Sequence, residues 1–497
     1  MEELVINYSN ELKGEVKVSG SKNSALPIMA ATILTNGVNI LKNIPNLLDI
    51  EIMKQLLQYL GIKIDDSTSN VVDIEVGCLN NISVPYELSR KIRASILLLG
   101  PMLAKIGKVS LPLPGGCAIG NRPIDLHLKG LSLMGAEIEQ ENGCIIANAN
   151  KLIGAKIYLD FPSVGATENL LMAATLAEGE TILENVAIEP EIVDLATFLS
   201  AAGAKIQGAG TDTIKIEGVK ELKAIEHTII PDRIEAGTLM TAVAMVGGNV
   251  KINNVINSHL KPITAKLKEA GVEISEELNT ISIKSSGKLK AIDIKTLPYP
   301  GFPTDMQAQF VSLMSSAEGN SVAVETIFEN RFLYVPELAR MGANIKIDGR
   351  SAVIEGKHIL NGAKVKATDL RAGAALILAG LVSEGITTIT DIYHIDRGYD
   401  GIDKKLKALG ANIERIQKIV NSEKWIVNSC CFFLLCKKLR INILLFFILR
   451  SKIFFNYSLL IIHYSICFYI GVMYHKTFYI IFNIFKHINT HIIHKHI

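Results

Sequence analysis

Hydrophobic and polar positions along the chain change period in a fixed order. In "SVGATENLLMAATLAEG" the residues Leu170, Leu171, Ala174 and Ala177 recur at helical spacing behind a Ser-x-x-Ala-Thr-Glu start, and Gly179 stands where a C-cap is expected. "ETILENV" then alternates as a half-buried strand, "EPEIVDLATFLSAAG" returns to an amphipathic helical period, and "AKIQG" follows Gly203 as a further strand. The phrase that closes this passage recurs as "LGIKI", "MGAEI", "AGAKI", "AGVEI", "MGANI" and "LGANI". Its glycines are Gly61, Gly135, Gly203, Gly271, Gly342 and Gly410, separated by 74, 68, 68, 71 and 68 residues. That regularity predicts six copies of one α/β unit.

The helices "LLMAATLA", "LMTAVAMV" and "AGAALILAGL" are apolar nearly all round, so they are expected inside, wrapped by sheet. Six units can close as two groups of three, with a break near "LKAIEHTIIPDR" between the third and fourth. One lobe then spans 21–228 and a second 229–416, and the cleft between them is the expected place for a ligand. The chain's 497 residues are enough for two such cores.

Composition separates residues 417–497 from the rest. This tail has no Ala, Asp or Pro, a single Gly (Gly471), ten Lys or Arg and one acidic residue, Glu423. Removing it leaves 41 basic and 48 acidic residues, a mildly acidic body that excludes a general nucleic-acid footprint. The uncharged run 453–475 is long enough for a membrane span of roughly 20 residues, although Asn456, His463 and several Tyr and Ser weaken it. The tail is read as the product of A/T-rich DNA translated past a lost stop codon or a frameshift, and membrane contact is expected only if it is genuine. Only Cys78, Cys117 and Cys144 lie in the body, and "MEELVINYSNELKG" lacks a secretory pattern, so a cytoplasmic protein is expected. No C-x-x-C and no His pair with ligand spacing in the body point to a metal, and neither a P-loop, a dinucleotide fingerprint nor a G-x-S-x-G elbow is present.

Candidate chemistry concentrates at a few points. In "PLPGGCAIGNRP" a Gly- and Pro-rich loop displays Cys117 beside Arg122, where loop amides and a guanidinium favour the thiolate. Cys78 and Cys144 have no cation nearby in sequence and are taken as structural. Lys22 and Asn23 open the helix of the first unit, a position that favours an anion. Arg93, Arg331, Arg371 and Arg397 stand at helix starts or turns. Singly each reads as a salt-bridged surface residue, but recurrence at equivalent points of the units would bring them to the cleft, for a ligand bearing phosphate and carboxylate. In "GFPTDMQAQ", Thr304 or Asp305 is expected to cap the following helix, with Asp305 alternatively facing the cleft as a general base.

Together "SGSKNSALP", "RASILLLGP", "PGGCAIGNRPIDLH", "SVGATEN", "DRIEAGT", "GFPTDMQAQ", "ETIFENRF", "DLRAGAAL" and "IDRGYDG" resemble the UDP-N-acetylglucosamine 1-carboxyvinyltransferases of the enolpyruvyl transferase family, over residues 1 to about 416. The resemblance implies two inside-out α/β domains, each of three βαβαββ units around buried helices, with residues 1–20 packed on the second. It implies transfer of the enolpyruvyl group of phosphoenolpyruvate to the 3-hydroxyl of UDP-N-acetylglucosamine, without a cofactor. Carried over by motif, Cys117 is the proton donor and Asp305 the base, while Lys22, Arg122 and Arg397, with Asn23 beside them, hold phosphoenolpyruvate. Arg93, the run Arg122, Pro123, Ile124, Asp125 and Leu126, the triplet Ser163, Val164 and Gly165, Asp305 and Ile327 line the UDP-sugar site. Arg331, Asp369 and Arg371 shape the cleft from the other half. Some branches place a Lys shortly before Ser-Val-Gly; here Phe161 and Pro162 stand there, so no phosphate contact is carried over from that segment. The rival readings are the shikimate-pathway transferase, which lacks the Pro-Gly-Gly-Cys loop, and a silent UDP-sugar-binding paralogue.

Overall fold

The third unit shows how the alternating pattern folds. In the computed structural model, which describes residues 2–79, 81–114, 120, 123–356 and 359–417, strand Lys156–Tyr158 leads into helix Val164–Ala174 and strand Glu180–Glu184. Helix Pro190–Ala201 and the hairpin Lys205–Gln207 and Thr213–Glu217 follow. The first two strands pair in parallel across the helical crossover, and the hairpin adds antiparallel to the second, giving the βαβαββ order. Register places Leu183 between Ile157 and Ile214, all three buried, so one face of each strand covers the helix. The fifth unit repeats this with strands Ile294–Lys295, Asn320–Val324, Asn344–Asp348 and Ser351–Glu355. The described residues form six sheets of three to five strands, matching the six phrases. All six repeat glycines carry positive φ, between 88° and 113°, a conformation that non-glycine residues rarely adopt after a helix.

Chain order and unit order are offset. Strand Glu2–Asn7 pairs with Ile386–Thr390 and Ile413–Gln417 in the sixth unit, and Leu12–Lys17 pairs in parallel with Gly248–Asn253 in the fourth. Strands Leu222–Lys223 and Glu226–Thr228 run parallel to Thr35–Lys42 in the first unit. Buried apolar side chains accordingly form two clusters, one from Leu4 to Val18 and Ile234 to Ile413, the other from Ala25 to Ile229. The chain passes between them twice, where Gly20 bridges Pro231 and Ser21 N–H donates to Ile230 O at 2.7 Å. Gly20 is required there, since a Cβ would lie 1.7 Å from Asn43 O.

Six helices occupy the interiors: Lys22–Ala31, Leu99–Ile106 (entered by the 3-10 turn Arg93–Leu98), Val164–Ala174, Arg233–Val246, Gln307–Ser316 (entered by the turn Thr304–Met306) and Leu370–Leu381. Their apolar circumference is buried nearly throughout; in the fourth, every residue from Ile234 to Val246 is buried. The last three pack on one another.

Two local expectations are corrected. Gly179 does not cap its helix, which ends at Ala174 with Thr175 as C-cap. By residue 178 the chain already runs alongside the sheet, Glu178 N–H donating to Leu152 O at 2.8 Å, and Gly179 (φ 92°) immediately precedes the next strand. Neither Thr304 nor Asp305 caps the fifth buried helix: Thr304 Oγ1 donates to Glu325 Oε2 at 2.9 Å, and Asp305 is drawn to two arginines. No helix among the described residues is long and apolar enough to cross a membrane, and the readings made for residues 418–497 fall outside those residues.

Candidate active site

The starts of the buried helices carry most of the residues singled out by the sequence. Lys22 opens the first, Arg93 the turn into the second, Ser163 and Val164 the third, Asp305 the turn into the fifth, and Arg371 the first turn of the sixth. Helix starts present free backbone N–H groups and the positive end of the macrodipole, an arrangement suited to anionic ligands.

Asp305 is the meeting point in the second half. Its Oδ1 accepts from Arg331 Nη2 at 2.9 Å and its Oδ2 from Arg371 Nη2 at 3.0 Å. Both guanidinium groups are buried, at 3 % and 2 % exposure, while the Asp305 side chain remains 28 % exposed. Burial alone would raise the Asp305 pKa, but Arg371, Arg331 and Lys22 outweigh it and hold the carboxyl well below the usual carboxylate range. Arg371 also faces the Tyr399 ring, 5.3 Å from its centroid. Asp369 sits behind this pair as the N-cap of the sixth helix, accepting from Arg371 N at 2.8 Å and Ala372 N at 3.1 Å. Half-buried Ile327 is fixed by its N–H, which donates to Glu325 Oε1 at 2.8 Å.

A second carboxylate, which the sequence did not single out, joins Lys22 to Arg397. Asp49, in the first turn of helix Leu48–Tyr59, accepts from Arg397 Nε at 2.7 Å and lies 3.4 Å from Lys22 Nζ. The Lys22 N–H donates to Asp232 Oδ2 at 3.4 Å, and Asp232 also caps the fourth buried helix through Ile234 N and Glu235 N. The starts of the first and fourth buried helices thus share one carboxylate. Asn23, half-buried, follows Lys22 in the first turn. Half-buried Arg233 and buried Glu191 form another pair at 3.0 Å, with Arg233 5.7 Å from the Tyr299 ring centroid. The "DRIEAGT" motif covers Asp232 and Arg233; the cap made by Asp232 is local, but its contact with Lys22 and that of Arg233 with Glu191 are long-range and carry no local signal.

The third-unit side of the site is built on Asn169. Its Oδ1 accepts from Gly100 N at 2.6 Å, its Nδ2 donates to Ile96 O at 2.7 Å and lies 3.0 Å from His127 Nδ1, so it ties together the second and third buried helices. His127 is buried, and burial together with Arg93 pulls its pKa down to about 4, so it is neutral. Ser163 Oγ caps the third helix, accepting from Ala166 N at 3.4 Å, and at Gly165 a Cβ would come within 3.3 Å of His127 Cε1. Arg93 and the triplet Ser163, Val164 and Gly165 are all half-buried, and Phe161 before them is exposed. Helix Asp125–Leu133 starts with Pro123 and Asp125 exposed, while Ile124 and Leu126 pack on the first core. Cys117 and Arg122 lie outside the described residues. Gly120, in the same loop, does reach the other half: a Cβ there would be 2.6 Å from Glu329 Oε2 and 3.7 Å from Phe328 Cβ. Cys78 is exposed beyond strand Val71–Val76, so it does not pack structurally as expected, and Cys144 is half-buried at the start of strand Cys144–Asn148.

A sequence model of EPSP synthase (3-phosphoshikimate 1-carboxyvinyltransferase) matches residues 6–406. The chain belongs to this family of enolpyruvyl transferases. Within the family it is 59 % identical over 414 residues to UDP-N-acetylglucosamine 1-carboxyvinyltransferase 1 of Caldanaerobacter subterraneus subsp. tengcongensis, covering 83 % of this chain and 99 % of the relative. It is 56 % identical over 418 residues to UDP-N-acetylglucosamine 1-carboxyvinyltransferase 2 of Carboxydothermus hydrogenoformans, covering 84 % and 100 %. The fold matches that of the enolpyruvyl transferase NikO from Streptomyces tendae, with a TM-score of 0.76 at 24 % identity over 84 % of this chain and 99 % of that one. EPSP synthase of Acinetobacter baumannii follows at 0.67 and 21 %, with 84 % and 100 % covered.

Proposed function

We propose that this enzyme transfers the enolpyruvyl group of phosphoenolpyruvate to the 3-hydroxyl of UDP-N-acetylglucosamine, releasing phosphate, as the first committed step of peptidoglycan precursor synthesis. The observation that carries the reading is the set of four cations, Lys22, Arg331, Arg371 and Arg397, gathered at helix starts and turns around the carboxylates of Asp49 and Asp305. Such a cluster of cations suits a small substrate carrying both phosphate and carboxylate. Relatives named for the UDP-sugar acceptor, at 56–59 % identity and nearly full length, favour it over 3-phosphoshikimate.

In this reading Lys22, Arg122 and Arg397 hold the phosphate and carboxylate, with Asn23 beside them. Cys117 delivers a proton to the methylene carbon while the sugar oxygen adds to the adjacent carbon. Loss of phosphate and of a methyl proton from the tetrahedral adduct restores the vinyl group. Asp305 takes a qualified role as base. A carboxylate that accepts from two guanidinium groups is a poor proton acceptor, so it orients the acceptor hydroxyl, and its basicity rises only when Arg331 or Arg371 turns to the substrate. Arg93, residues 122–126, Ser163, Val164, Gly165 and Ile327 line the UDP-sugar side, and Asp369 acts by fixing the backbone that carries Arg371. Mass spectrometry of the product tests the assignment: a carboxyvinyl ether of UDP-N-acetylglucosamine is expected, and formation of the shikimate product alone would replace it.

A further inference from the structure

We propose that Asp49 is a positioning residue of the anion site, gathering Lys22 and Arg397 around one carboxylate so that Lys22 meets phosphoenolpyruvate as a cation beside Arg397. This rests on the reading above.

Asp49 is 4 % exposed and stands in the first turn of helix Leu48–Tyr59, where the dipole favours its charge. Its two oxygens are divided, Oδ1 to Arg397 Nε at 2.7 Å and Oδ2 to Lys22 Nζ at 3.4 Å. The two cations lie on different cores: Lys22 opens the helix of the first, whereas Arg397 follows helix Tyr393–Asp396 of the second. The loop bearing Arg397 has another anchor, because Asp400 accepts from Ser19 Oγ and from Asn46 N, each at 3.2 Å. Asn46 lies just ahead of the Asp49 helix, so residues 397–400 are fastened twice to one short stretch.

Lys22 needs such a partner. At 7 % exposure its ammonium loses most of its hydration, and burial is the main influence pulling it towards the neutral amine. The charged groups around it come from several elements: Asp49 opposes the loss of the proton most strongly, Arg371 and Arg397 favour it, and Asp305 opposes it. Asp232 meets the Lys22 backbone N–H. Asp305 is already shared by two arginines, which leaves Asp49 as the principal counter-charge. A neutral amine would give phosphate an ordinary hydrogen bond in place of a charge-assisted one.

The test is steady-state phosphate release by the full chain between pH 6 and 10, comparing wild type, Asp49→Asn and Asp49→Glu, with thermal unfolding to verify folding. For Asp49→Asn the alkaline limb of kcat/KM for phosphoenolpyruvate is expected to move down by about one pH unit, so that activity above the limb falls up to about tenfold further than at pH 6.5. KM for the UDP-sugar should change less than about twofold, and Asp49→Glu should keep the wild-type limb because it keeps the charge. A uniform loss with an unmoved limb would show a merely structural residue and overturn the proposal. If Asp49→Asn does not fold, Asp49→Glu decides: a raised KM for phosphoenolpyruvate with an unmoved limb supports positioning, and wild-type constants remove it. A wild-type chain that releases no phosphate removes the functional reading itself, whereas an active wild type with an unmoved Asp49→Asn limb removes only the role of Asp49.

Discussion

Arg371 Nη2 donates to Asp305 Oδ2 across 3.0 Å, joining the entries of two buried helices whose residues are 66 positions apart. Arg331 occupies the other oxygen, so the carboxylate carries two buried guanidinium groups. Removing it would leave both charges uncompensated. Asp305→Ala is therefore expected to lower stability by about 3–5 kcal/mol and turnover by at least about a hundredfold. Thermal unfolding and steady-state rates check the two effects separately. A variant as stable as wild type would show that the pair does not hold the helices together.

The same pair sets the acid limit. Because its folded pKa lies below the unfolded value, Asp305 contributes stability above that unfolded value and loses it only as pH falls towards the lower folded one. No ionisation of Asp305 is expected between pH 5 and 9 in the kcat/KM profile, which reports the free enzyme. An acid limb in that range that disappears in Asp305→Asn would contradict this.

His127 also costs stability on acidification, but through burial rather than through paired charges. Burial lowers its pKa to about 4, so the unfolded chain binds more protons between that value and 6.5 and stability falls as pH drops through this window. The full effect is roughly 3 kcal/mol. His127→Gln should flatten the dependence of unfolding free energy on pH over the same window, measured by denaturant titration. An unchanged slope would place the titration elsewhere.

If Cys117 acts mainly as an acid, Cys117→Asp should retain measurable turnover and Cys117→Ser should be nearly inactive, since a serine hydroxyl is far too weak an acid near neutral pH. Equal activity of the two would remove the assignment. An epoxide phosphonate resembling phosphoenolpyruvate should alkylate Cys117, and mass spectrometry finding the label elsewhere would count against it.

The repeat was legible because a local constraint wrote it. Each of the six glycines holds a left-handed backbone after a helix, so the phrase survives at every unit. Three of the six buried helices were equally plain, being apolar nearly all round, while Lys22, Arg93, Asp305 and Arg371 stood out at helix starts or turns. Partnerships were not legible. Asp49 resembles any acidic residue in a helix first turn, and its partner Arg397 lies 348 positions away. Asp305 looked like a cap because Thr and Asp stand before a helix, yet Arg331 and Arg371 attract it more strongly than backbone N–H groups do. Gly179 missed as a cap because the chain leaves the helix at Thr175 and runs alongside the sheet before reaching it.

The central claim is that cations gathered at the helix starts of both cores act on phosphoenolpyruvate only with the right acceptor. The most direct measurement is inorganic phosphate released from phosphoenolpyruvate by the purified chain, with UDP-N-acetylglucosamine, with 3-phosphoshikimate, and with neither. Release that requires UDP-N-acetylglucosamine is predicted. Release supported by 3-phosphoshikimate instead, or none with either acceptor, would contradict it.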